Sequence, residues 1–169
     1  GGVTMVINLL QSREAHHMAV VGASGAGNSI RMGSVATDLV RSADIHTLVV
    51  PASSQSRSLD RIVVATNYEN YKTETVFEPV RYLAQRHTAD LTFLTVLESK
   101  EALSSVNSER KALLDGYFEG ITCLHEYVKD DDVSEGIDAY LDTYPAELLV
   151  MISHRKGLLD VLLNRSVTR

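Results

Sequence analysis

The sequence predicts an α/β fold: an open parallel sheet with helices on both faces. Two observations carry this. Short β-branched runs at 61–66, 91–97, 121–128 and 148–152 alternate with stretches of helical period. Strand–helix–strand order with such connections requires right-handed crossovers and a parallel sheet. The composition, 44% hydrophobic and 22% charged over 169 residues, is that of an ordinary globular protein of one domain or parts of two.

Taken in order, residues 3–17 carry Val3, Val6, Ile7, Leu10 and Ala15 with polar residues between, a spacing that predicts a helix packing one face on a sheet. Residues 18–22 (Met-Ala-Val-Val-Gly) read as a buried strand. A glycine-rich turn at 22–27 follows, and then a helix from about Val35 to Ala43, capped by Ser34. Residues 45–50 are β-branched-rich and form a strand ended by Pro51.

The polar, serine-rich stretch 52–58 is the best domain boundary. Charge shifts there: residues 1–58 carry a balance of +1 and the rest −7. Beyond it come a strand at 61–66 and a helical face of Val76, Phe77, Val80, Leu83 and Ala84, with Pro79 near its start. A strand at 91–97 leads to a polar helix from about Ser99 to Phe118, stopped by Gly120. Residues 121–128 form a strand. A short helix on Val133, Ile137, Tyr140 and Leu141 ends before Pro145, and a strand covers 148–152.

Two stretches repeat. Residues 18–22 align with 148–152, and Gly33-Ser34-Val35 aligns with Arg165-Ser166-Val167. The sequence therefore reads as two copies of one unit. Residues 1–51 form the last part of the first copy, 52–58 the linker, and 59–169 a second copy without its final strand. An open sheet edge is expected where that strand is missing, and with it self-association.

The loop at 22–27 joins a strand end to a helix N-terminus, where free backbone N–H groups and the helix dipole favour phosphate. Gly22, Gly25, Gly33 and Ser34 match the motif G-x2-G-x9-G-[S/T], with seven residues in place of nine between Gly25 and Gly33. With the closing Leu48-Val49-Val50-Pro51, these residues resemble the universal stress protein (UspA) family in its tandem form. The resemblance spans roughly 1–51 and 60–169.

That resemblance implies a Rossmann-like, adenine nucleotide α-hydrolase-like sheet and a bound adenine nucleotide, ATP, with or without Mg. Gly22, Gly25 and Gly33 would hold the phosphates through backbone N–H groups, and Ser34 through N–H and hydroxyl. The two copies would pair final strand to final strand. In the second copy the corresponding contacts fall on Ala65 and Asn67 after the first strand, on Ser153, and on Ser166. There Ile152, Arg155 and Arg165 replace the motif glycines, which makes this copy degenerate. The basic run 153–157 leaves open an anion held by side chains.

The remaining residue types argue against other chemistries. Net charge of −6 without a basic patch excludes nucleic acid as the main partner. No apolar run approaches the ~20 residues of a membrane helix. One cysteine, Cys123, fits a reducing compartment, so a cytoplasmic protein is expected. Cys123 reads as a buried, inert thiol. His16 and His17 are adjacent and share no helix face, and the other histidines are scattered, so no metal site is expected. Ser24 lacks the second glycine of a nucleophile elbow. The run at 130–132 reads as a solvated acidic stretch with one Asp capping the next helix. The seven tyrosines read as packing residues, with Tyr68 and Tyr71 as candidates to line a cleft beside Asn67.

The expectation is thus a nucleotide-binding stress-response regulator with no catalytic residues and at most slow ATP hydrolysis. The alternative is an interaction or dimerisation module without nucleotide.

Overall fold

The computed structural model describes residues 3–10, 18–23, 46–51, 58–68, 74–99 and 108–153. They form seven strands, a 3-10 turn and three helices: β1 (Val3–Leu10), β2 (Met18–Ala23), β3 (His46–Pro51), β4 (Arg61–Ala65), the turn Glu74–Phe77, α1 (Glu78–His87), β5 (Asp90–Leu97), α2 (Ser108–Tyr117), β6 (Cys123–Lys129), α3 (Val133–Thr143) and β7 (Ala146–Ser153).

All seven strands belong to one sheet of order β2-β3-β1-β7-β4-β5-β6. Its second half, β6-β5-β4-β7, is a four-stranded parallel sheet of order 3-2-1-4 alternating with helices, a Rossmann-like arrangement. This part matches the α/β class read from the sequence.

Parallel strands covered on both faces are apolar without alternation. Accordingly residues 62–65 of β4 and 148–151 of β7 are buried throughout. One face carries Ile62, Val64, Leu91, Phe93, Leu148 and Val150 in a core with Val80 and Ala84 of α1, Leu114 of α2, and Phe77 and Phe118. Phe118 meets Phe77 edge-on at 5.9 Å and Phe93 at 5.7 Å. On the other side α3 packs on β5 and β6 and buries Ile137 and Leu141. The helix ends follow local chemistry. Asp132 accepts a hydrogen bond from the Glu135 N–H at 3.0 Å, the N-cap expected of the acidic run. α1 has Pro79 in its first turn. It closes with Thr88 in the left-handed region and the Ala89 N–H bonded to the Ala84 carbonyl at 2.9 Å. Gly120, at φ +88, turns the chain after α2 as the sequence predicts.

Three expectations are corrected. Residues 3–10 are a strand, not the start of a helix. Val3, Thr4, Val6 and Ile7 favour extended backbone, and pairing on both sides overrides the helical spacing. The edge of β7 expected to lie open is paired along its length with β1 in parallel, from Val3↔Ala146 to Leu10↔Ser153. Not all tyrosines pack: Tyr82 and Tyr144 are 64% and 51% exposed.

The strand register has an internal symmetry. β3 runs parallel to β2 and antiparallel to β1. Val150 pairs with Ile7, Ile7 with Leu48, and Leu48 with Val20. Val20 and Val150 are equivalent positions of the sequence repeat, so this row reads the same from either end. The neighbouring rows obey the same rule: Leu149–Val6–Val49–Val21 exchanges with Met151–Asn8–Thr47–Ala19. The pairing of β7, β1, β3 and β2 thus has a local two-fold through the Ile7–Leu48 pair, with β1 beside β7 as β3 is beside β2.

Candidate functional site

In an open α/β sheet the crevice opens beyond the strand C-termini, where successive connections leave in opposite directions. Here that point lies between β4 and β7. From β4 the chain crosses through α1 to β5 and β6, then returns through α3 to β7 on the other side of β4. The register sets Ala65 opposite Met151, so the turn after β4 and the end of β7 meet at one mouth. Two of the sequence candidates, Ala65 and Asn67, lie on the β4 side, and Ser153 closes the β7 side opposite Leu10 of β1. Ala65 is buried and Asn67 exposed.

The glycine motif lies elsewhere. Gly22 is in β2, paired with Val50 of β3. Because β3 opposes β1, the C-terminal end of β2 faces the sheet edge opposite to that of β4 and β7. The strand ends that carry Gly22 and Ser153 therefore lie at opposite ends of the sheet. Gly25, Gly33, Ser34 and Ser166 lie outside the described residues, as do Tyr71, the capped helix at 35–43 and the basic run beyond Ser153.

The β4 exit is built in detail. The Thr66 N–H bonds to the Leu94 carbonyl at 2.9 Å, which carries the β4–β5 ladder one residue further. Thr66 Oγ1 accepts from the Tyr68 N–H at 3.1 Å. Tyr68 stands at φ +56, a region bulky side chains rarely adopt. Its ring does not line a cleft beside Asn67 but is buried, 1% exposed, in the core on the α1 and α2 side. There its hydroxyl is hydrogen-bonded to His125 Nδ1 of β6. His125 Nε2 is in turn 2.6 Å from Asp115 Oδ1 of α2, and the imidazole stacks on Phe93 at 5.1 Å. His125 is thus a satisfied histidine, as its scattered position in the sequence implied. Its link to Tyr68, 57 residues away, has no local signature in the sequence.

Cys123 is half-buried, and burial, with the Asp115 carboxylate beside it, pushes its thiol up to about 11. A thiol raised this far holds little thiolate, the reacting form, at neutral pH. No group of three or more metal-ligating side chains occurs among the described residues, and no described helix is long and apolar enough to cross a membrane.

No protein-family model matches this chain, and no curated protein matches it.

Proposed function

We propose that the chain is a regulatory nucleotide-binding protein of the universal stress type, taking ATP at the crevice beyond β2. The observation that supports this best is the two-fold in the strand register. It relates β2 to β7 and so sets Gly22 and Ile152 at equivalent strand ends. In a shared geometry, one end carries glycines and the other does not. The register accommodates β-branched Ile152 where the other strand end has Gly22, which supports a ligand as the reason for Gly22 and the glycine that follows at Gly25. Backbone N–H groups of a glycine loop can approach phosphate oxygens that a Cβ would hold away.

In this reading the second crevice, with Ala65, Asn67, Ser153 and Ser166, lacks the backbone cradle and does not take ATP in the same mode. The two copies meet within one chain, β1 beside β7. No catalytic step is assigned, because the resemblance implies at most slow hydrolysis. The second reading, an interaction module without nucleotide, is favoured by the loop between Gly25 and Gly33 being two residues short of the family spacing.

Isothermal titration with ATP-Mg separates the two. The nucleotide reading expects micromolar binding that is lost in Gly25→Val, where a branched side chain fills the phosphate approach. Absence of heat at millimolar ATP supports the interaction module instead.

A further inference from the structure

The second crevice has one feature that a degenerate copy would not need. A tyrosine in left-handed backbone costs free energy and persists only where its surroundings hold it. Here the outlier falls at the switch point, directly after Asn67, and the restraint is a chain of side chains from three elements. We propose that Tyr68, His125 and Asp115 form a positioning relay that ties the β4 exit, and so the place of Asn67 at the crevice, to a carboxylate on the surface of α2.

The chemistry is directional. An ionised Asp115 only accepts, so His125 Nε2–H donates to it. In the neutral imidazole Nδ1 is then left as an acceptor, and the Tyr68 hydroxyl donates to it. Stacking on Phe93 holds the ring in the plane that serves both bonds. The two ends differ in environment: the Tyr68 ring is buried, whereas the Asp115 side chain is 48% exposed. A change at the α2 surface thereby reaches a residue at the crevice through two hydrogen bonds. The inner bond fixes the ring, the ring fixes the left-handed backbone, and the Tyr68 N–H bond to Thr66 Oγ1 fixes the turn.

This goes beyond the nucleotide reading, because it concerns the crevice that reading leaves without ATP. Its test therefore uses no ligand. Amide hydrogen exchange is measured on the wild-type chain, Tyr68→Phe, Asp115→Ala and Asp115→Asn. Loss of the phenol hydroxyl is expected to raise exchange at Asn67 and Tyr68 by about tenfold, the equivalent of one net hydrogen bond. Amides of Phe93 and Leu94 in β5 should stay unchanged. Asp115→Ala, at the exposed end, is expected to raise exchange at the same two amides by about threefold or more, and Asp115→Asn, which keeps an acceptor oxygen, to restore the wild-type rate. If Tyr68→Phe raises exchange uniformly across β4 and β5, or Asp115→Ala leaves Asn67 and Tyr68 unchanged, Tyr68 is a core residue only and the relay is wrong. Should Tyr68→Phe fail to fold, the Asp115 pair decides alone.

Discussion

Cys123 and His125 stand two residues apart in β6, and one carboxylate, Asp115, acts on both. It donates nothing, so its negative charge opposes ionisation of the thiol while it accepts a hydrogen bond from the imidazole. With the thiol raised to about 11, its thiolate is scarce at neutral pH. Alkylation by iodoacetamide should therefore be slow at pH 7 and climb about tenfold per pH unit without levelling below about pH 10, because the thiolate is the reacting form. A rate that levels near pH 9, the behaviour of an unperturbed thiol, would contradict the burial and charge described. The inertness of Cys123 was legible from its flanks, Thr122 and Leu124. The tyrosine pairing was not. A sequence shows that Tyr68 and His125 exist, but only the neighbouring positions of β4, β5 and β6 bring them together. Nor does apolar character tell depth: Tyr68 is buried, whereas Tyr82 and Tyr144 face solvent.

Among the elements, α3 rests on β5 at Gly136. A Cβ there would stand 2.7 and 2.9 Å from the two methyl groups of Val96 and 3.2 Å from Asp130 Cβ. Two effects compete in Gly136→Ala. Helix propensity favours alanine by up to about 1 kcal/mol. Overpacking against a stiff β-branched side chain costs about 1–3 kcal/mol. The clash should win, so Gly136→Ala is expected to lower the urea midpoint, and Val96→Ala in the same chain to recover part of the loss. A raised midpoint in the single variant would show that α3 can move away from the sheet at little cost. Boundaries with a local cause were readable: the Asp132 cap, the Gly120 turn and Pro79 in the first turn of α1. The strand β1 is ambiguous in sequence because Val3, Val6, Ile7 and Leu10 fit a helical stripe as well as a strand. Their β-branched content leans to the strand, and the slot between β3 and β7 decides.

For the molecule as a whole, the class was legible because alternation of strand and helix between 61 and 152 leaves few topologies. The repeat of 18–22 in 148–152 was legible too, but its geometric meaning was not. Sequence alone suggested an open edge beside β7. The register instead seats β1 on that edge and pairs it with β3 about a two-fold at Ile7 and Leu48. The consequence for function is spatial. Gly22 and Ser153 lie at strand ends on opposite sides of one sheet. Under the proposed function, a ligand bound beyond β2 is expected to leave the turn after β4 untouched.

This separation makes nucleotide binding beyond β2 directly measurable. Amide exchange of the whole chain, with and without saturating ATP-Mg, reads both ends at once. Protection is expected around Gly22, Gly25, Gly33 and Ser34 and none at residues 65–67 or 151–153. Protection at residues 65–67 and 151–153, or at neither end, would contradict it.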